Sequence, residues 1–70
     1  MKNFARRVKE LRKEKHRTQT EMAELLAITP RAYQYYESAT HYPDVPGLIK
    51  LADYFEVTTD YLLGRSQERK

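Results

Sequence analysis

Two short helices joined by a three-residue link are the feature that most restricts the fold of this 70-residue chain. The segment TQTE at residues 18–21 has the pattern of a capping box, in which threonine and glutamate side chains satisfy free amides at a helix start. Thr29 and Pro30 predict a second start, with threonine as N-cap and proline at the first helical position. Since only residues 27–29 separate the two predicted helices, the chain must turn sharply between them.

The flanking segments predict further helices, because apolar residues recur there at the spacing of one helix face. In the first helix, about residues 3–15, Phe4, Val8 and Leu11 lie on one side and charged residues occupy the others. A fourth helix is expected from residue 45 or 46 to residue 55, after a loop that contains proline.

The end of the sequence predicts a short fifth helix followed by a polar tail. Thr58 is its expected N-cap, and Gly64 is placed to end it in a left-handed conformation. Residues 65–70 are polar and are expected to fray. No strand pattern or internal repeat is present in the sequence. We therefore predict an all-α, five-helix domain over residues 1–64 with a tail at residues 65–70.

The composition excludes several other classes of protein. Without cysteine, the chain has neither a disulfide framework nor a cysteine-based zinc site. No apolar run approaches the roughly 18 residues needed to span a bilayer, and no signal-peptide core is recognisable, so we expect a cytoplasmic protein. His16 and His41 are far apart, and no catalytic triad, HExxH motif or glycine-rich phosphate loop is present. No enzyme activity, metal or cofactor is therefore implied.

The net charge of +3 hides an uneven distribution. Residues 1–17 carry eight Lys/Arg against two Glu, residues 18–64 carry two against seven acids, and residues 65–70 carry three against one. Basic ends of this kind are suited to phosphate, although a charged helix face is also typical of plain solvation.

The segment TPRAYQYYES at residues 29–38 places three tyrosines on one predicted helix. At 100° per residue, Tyr33, Tyr36 and Glu37 fall on one side, and we predict that both tyrosines belong to the core. An exposed ring at Tyr35 suits base edges, but a surface ring without a function is equally consistent with its position. The side opposite Tyr33 carries Arg31, Gln34, Tyr35 and Ser38.

Five stretches of the sequence follow one another at a specific spacing. They are LR (11–12), TQTEMAELL (18–26), ITPRAYQYYES (28–38), LIKLADYFEV (48–57) and TTDYLLG (58–64). In this order they resemble the Cro/CI-type helix-turn-helix family, also called the XRE family, of phage and bacterial transcriptional regulators. The resemblance implies a lambda-repressor-like domain whose third helix lies in the DNA major groove and is supported by the second.

The resemblance also assigns DNA contacts to individual residues. Arg31 is implied as the main base reader, because guanidinium can donate two hydrogen bonds to guanine O6 and N7. Gln19 is implied as a phosphate contact at the start of the supporting helix. The positions implied to face base edges are Pro30, Arg31, Gln34 and Tyr35. Those implied to face phosphate are Gln19, Thr20, Thr29, Ser38, Thr40, His41 and Tyr42. Basic residues of the first helix are implied to attract DNA by their positive field, without fixed contacts: Arg6, Arg7, Lys9 and Lys13.

Two further features follow from the resemblance. Arg12 and Glu37 match an ion pair between the first and third helices, whose expected role is to fix the tilt of the reading helix. Ala27 and Ala39 stand where relatives usually have glycine. If either needs a positive φ, alanine costs on the order of 1 kcal/mol relative to glycine.

The sequence thus predicts a sequence-specific transcriptional regulator that binds double-stranded DNA as a homodimer on a two-fold operator. The resemblance implies that it acts as a repressor. Neither a membrane nor a small-molecule ligand is implied as a partner. The alternative is a helical protein-interaction module of the same fold, which the acidic excess of residues 18–64 favours. The implied dimer interface consists of Val57, Thr59 and Tyr61. Each could equally belong to the core or to a plain surface, and for Tyr61 the core is favoured.

Overall fold

A computed structural model describes residues 2–70 and contains five helices within them. This confirms the all-α prediction, and no strand occurs in the described residues. Within the same range, no helix is long and apolar enough to cross a membrane. The helices are α1 (Lys2–Glu14), α2 (Gln19–Leu26), α3 (Pro30–Glu37), α4 (Val45–Phe55) and α5 (Thr59–Leu62).

Side-chain caps define the starts of the four helices that follow α1. The Thr18 hydroxyl accepts from the Glu21 amide at 3.1 Å, and the Glu21 carboxylate accepts from the Thr18 amide at 2.8 Å, which completes the capping box. Thr29 and Thr58 cap α3 and α5 in the same way. The N-cap of α4 is Asp44, whose carboxylate accepts from the amide at position 47 and which the sequence reasoning did not identify.

Both alanines that replace glycine adopt left-handed backbone conformations. Ala27 has a φ of 57° at the end of α2, and Ala39 has a φ of 63° just after α3. Both turns are therefore made at the cost of placing a Cβ atom in that region. Gly64, with a φ of 82°, has the left-handed conformation expected after α5, and a Cβ atom there would lie 2.7 Å from the Cβ atom of Asn3.

The core lies where all five helices meet and holds Tyr33 completely buried. Tyr36 is half-buried, with its ring edge-on to Tyr33 at 6.0 Å between centroids. Both tyrosines thus lie on the inner side of α3, as the helical projection predicts. The other core side chains are Phe4, Val8, Leu11, Met22, Ala23, Leu51, Ala52, Phe55, Val57, Tyr61 and Leu62.

Arg7 is buried, so it is not available as a surface group beside DNA, unlike the other basic residues of α1 with which the sequence reasoning grouped it. Its guanidinium lies 4.1 Å from the centre of the Tyr61 ring and donates to the carbonyl oxygens of Tyr61 and Ser66 and to the Gln67 side chain. Arg7 lies on the same side of α1 as the core residue Phe4, because three residues advance a helix by 300°. This position was the signal in the sequence that Arg7 could be buried.

The tail packs against the domain, so the expectation that it frays is also wrong. The Arg69 carbonyl accepts from the Thr58 amide at 2.7 Å, at the start of α5. The Arg69 guanidinium donates to both carboxylate oxygens of Glu14, at 2.8 and 2.9 Å. These contacts, with those of Arg7, hold the tail across the ends of α1 and α5.

Candidate nucleic-acid interface

The outer side of α3 presents polar and aromatic side chains to solvent. Arg31 and Gln34 are exposed, and Tyr35 is 40% exposed. Arg31 forms no ion pair with any residue in the range 2–70. Pro30 occupies the first turn of α3, where its missing N–H needs no partner. The four positions implied to face bases are therefore all exposed, and they share one short helix.

The inner side of α3 is occupied by a hydrogen-bonded network centred on Glu37. The Glu37 carboxylate accepts from Nε of Arg12 at 2.7 Å and from Nη2 of Arg12 at 3.1 Å. It also accepts from the Tyr33 hydroxyl at 2.5 Å and from the side-chain amide (Nε2) of Gln19 at 3.0 Å. The Arg12 guanidinium in turn donates to the Arg17 carbonyl at 2.9 Å. One carboxylate thus ties α1 and α2 to α3.

Titration of the network follows from this geometry. Burial alone would raise the pKa of Glu37, but the hydrogen bonds from Arg12, Tyr33 and Gln19 outweigh it and hold that pKa below its ordinary value. The hydrogen bond to Glu37 raises the pKa of Arg12 against the opposing effect of burial. Burial, followed by the bond to Glu37, raises the pKa of Tyr33. All three groups keep their ordinary charge states at neutral pH.

A shallow notch of about 330 Å³ lies between α1, the start of α2 and α3. The side-chain amide of Gln19 is held at the edge of the notch by its hydrogen bond to Glu37. The orientation of this amide is therefore set from inside the domain. Lys9, an exposed basic residue of α1, also lines the notch and so lies beside α3. The remaining lining residues are Gln34, Glu37 and Ser38.

The loop after α3 folds back onto Tyr35. The Tyr35 carbonyl accepts from the Thr40 amide at 3.0 Å, from the His41 amide at 3.2 Å and from the Ser38 hydroxyl at 3.2 Å. The hydroxyls of Ser38 and Thr40 lie 2.8 Å apart. The His41 ring packs against the Tyr35 ring, with 5.0 Å between their centroids. Three of the positions implied to face phosphate thus form one cluster with Tyr35.

The remaining positions implied to face phosphate are more dispersed. Thr29 and Thr20 are exposed near the starts of α3 and α2, where free amides point outward. The Tyr42 ring lies 5.3 Å from that of Phe4, so the structure places it beside α1 and outside the cluster at Tyr35.

The residues implied for a dimer interface differ in exposure. Val57 and Tyr61 are each 8% exposed and belong to the core, while Thr59 is half-buried. The largest exposed apolar side chains of α4 are instead Val45, at 68%, and Ile49, at 48%, one turn apart. The sequence reasoning missed this pair. The signal was visible, because the two residues are four positions apart and lie outside the predicted core face of the helix.

Known proteins similar to this chain are helix-turn-helix regulators. A helix-turn-helix family model matches residues 8–62. The uncharacterised HTH-type transcriptional regulator YqaE of Bacillus subtilis is 42% identical over 67 residues, covering 94% of this chain and 58% of YqaE. The CTXphi transcriptional repressor RstR of Vibrio cholerae is 39% identical over 54 residues, covering 77% of this chain and 48% of RstR.

A solved structure gives the same result. The crystal structure of a transcriptional regulator from Listeria innocua superposes with a TM-score of 0.85 at 40% identity, covering 93% of this chain and 61% of that one. The chain thus spans about half the length of the curated relatives it matches. The matched family is one of transcriptional regulators and not of enzymes, in agreement with the sequence-based prediction. This chain belongs to the XRE-type helix-turn-helix family.

Proposed function

We propose that this chain is a sequence-specific DNA-binding transcriptional regulator in which α3 lies in the major groove. The observation that carries the proposal is the contrast between the two sides of α3. Hydrogen-bonding groups on the inner side find partners within the domain, whereas Arg31 and Gln34 on the outer side are exposed. A guanidinium and an amide on one helix match the acceptors and donors of base edges.

Phosphate contacts flank the reading surface. Gln19 and Lys9 lie at the notch beside α3, and free amides at the start of α2 favour an anion there. At the start of α3, Thr29 offers a further donor, because its hydroxyl only accepts within the domain, and His41 offers one in the loop after α3. The hydroxyl protons of Ser38 and Thr40 are used within their own cluster. Contacts at the notch and at the ends of α3 would fix the register of α3 in the groove.

We further propose that two copies bind a two-fold operator, with half-sites about 34 Å apart. One eight-residue helix contacts few base pairs, so useful affinity requires a second copy. Exposed Val45 and Ile49 give α4 apolar surface that a second copy would cover. Of the residues implied for this interface, Thr59 is the one left to contribute, because Val57 and Tyr61 belong to the core. The similarity to a phage repressor favours repression, and the proposed binding to DNA supports a cytoplasmic location.

A gel-shift titration against random and enriched DNA duplexes at several salt concentrations tests this proposal. We expect a selected duplex to bind at least about 1000-fold more tightly than unselected DNA at the same salt concentration. The logarithm of affinity should also fall linearly with the logarithm of salt concentration, as counterions are released from phosphates. Equal affinity for every sequence would contradict sequence-specific binding.

A protein-interaction module of the same fold is the second candidate. It is favoured by the exposed acidic residues Asp53, Glu56 and Asp60 towards the end of α4 and on α5, together with the exposed apolar pair on α4. Recovery of a stoichiometric protein partner, together with no enrichment of any DNA sequence, would select this function over DNA reading.

A further inference from the structure

Tyr35 and His41 form a pair of aromatic side chains on the outer side of α3. The Tyr35 ring is 40% exposed, beside Arg31 and Gln34, and the His41 ring packs against it at 5.0 Å with an angle of 48° between the ring planes. His41 itself is exposed and belongs to the loop after α3. A loop residue therefore supports a ring that belongs to the reading helix.

The backbone fixes this pair in place. The amide of His41 donates to the carbonyl of Tyr35, and the amide of Thr40 donates to the same oxygen. The left-handed conformation of Ala39 turns the chain so that both bonds form. Because the loop is bound to the peptide group of Tyr35 itself, the backbones that carry the two rings are held together. With the His41 ring packed against it, the Tyr35 ring has fewer orientations to lose when it packs against a ligand.

The chemistry of a supported ring selects one feature of the major groove. An aromatic face offers no directed hydrogen bonds to base edges, but it packs well against apolar groups. In the major groove the apolar group is the C5 methyl of thymine. Arg31 and Gln34, on the same side of α3, already supply the hydrogen-bonding groups.

We propose that Tyr35 contacts the C5 methyl group of a thymine in each half-site and that His41 is a positioning residue for this contact. The inference rests on the proposed function, since it requires α3 to lie in the major groove. It assigns sequence reading to a residue outside the helix, which acts through the ring that it supports and not through a base contact of its own.

The test replaces single thymines by deoxyuridine in an operator selected from random DNA, which removes only the methyl group. At one thymine in each half-site, we expect the change to weaken binding about fourfold, the effect of one buried carbon group. Tyr35→Ala should bind the thymine and uracil operators equally. The proposal would be overturned if no thymine of the operator could be replaced by deoxyuridine with a loss of affinity. It would also be overturned if Tyr35→Ala kept the preference for the thymine operator over the uracil operator.

Two substitutions at His41 test its role as a positioning residue. His41→Phe keeps a ring against Tyr35 and should keep the thymine-to-uracil ratio, whereas His41→Asn should reduce it toward one. If His41 contacts phosphate alone, His41→Asn would lower both affinities together and leave that ratio unchanged, which would contradict the positioning role. If the protein selects an operator but shows no uracil effect, this inference fails alone. If it selects no operator, the proposed function fails as well.

Discussion

The two sides of α3 use the same kinds of residue in opposite ways. On the inner side, Tyr33 is fully buried and its hydroxyl donates to Glu37, which also pairs with Arg12. On the outer side, Tyr35 is exposed and Arg31 has no ion pair within residues 2–70. One tyrosine and one arginine thus serve the fold, and another of each is available to a ligand.

This comparison shows how a small domain can present a rigid reading surface. Glu37 is 4% exposed at its side chain and accepts bonds from α1, α2 and α3, so the orientation of α3 is fixed by one buried carboxylate. The outer side can then keep unpaired donors without loss of order. The predictions below separate these two roles, beginning with the largest expected effect.

Breaking the inner network should cost the most stability. Arg12→Met leaves the buried Glu37 carboxylate without its charged partner, and we expect the free energy of unfolding to fall by about 3–5 kcal/mol in chemical denaturation. The double variant Arg12→Met, Glu37→Leu removes both charges and should lose less than the single variant. A single variant as stable as the parent chain would contradict the inner role.

Acid should weaken the same network. The pKa of Glu37 lies below its ordinary value of 4.5 in the folded chain, so its contribution to stability is complete above that value and is lost as the pH falls through the folded pKa. Denaturation curves measured from pH 7 downward should show a loss that Glu37→Gln lacks. Glu14 and Glu21, whose pKa values are also lowered, remain in both proteins and serve as the internal control.

Relieving backbone strain should have a smaller effect of opposite sign. Ala27→Gly removes a Cβ atom from a left-handed, exposed position and should raise the free energy of unfolding by about 1 kcal/mol. Ala32→Gly, within α3, is the matched control and should lower it by about 1 kcal/mol. If both variants were destabilised alike, the left-handed turn would not carry the cost assigned to it.

Truncation on the outer side should change stability least. Arg31→Ala, Gln34→Ala and Tyr35→Ala should each shift the free energy of unfolding by less than about 0.5 kcal/mol, because these side chains are exposed. Tyr33→Ala, the control from the inner side, should cost about 3–5 kcal/mol. Thermal melts of the four proteins give this comparison directly, and a large loss for Tyr35→Ala would make that ring part of the fold.

The sequence predicted the elements whose signals are local. The box at Thr18 and the cap at Thr29 fixed two helix starts, and the angular spacing on α3 separated Tyr33 and Tyr36 from Tyr35. Such patterns depend on residues a few positions apart, so they can be read without tertiary structure.

Features that depend on distant contacts were missed. The burial of Arg7 requires carbonyl groups from α5 and the tail, more than 50 positions away. The bond from Gln19 to Glu37 requires knowing how α2 crosses α3, and the packing of His41 on Tyr35 requires the left-handed turn at Ala39. No local pattern encodes these contacts. For Arg7, the ordinary expectation pointed the other way, because charged residues on a helix are usually solvated.

Selection of bound DNA from a random pool, performed with the parent chain and with Arg31→Ala, tests the central claim most directly. We expect the parent chain to select a two-fold motif with a guanine at one position of each half-site. Arg31→Ala should lose the preference at that position, worth about 1–3 kcal/mol, while the other positions persist. An identical motif from both proteins would contradict the claim that the outer side of α3 reads DNA through Arg31.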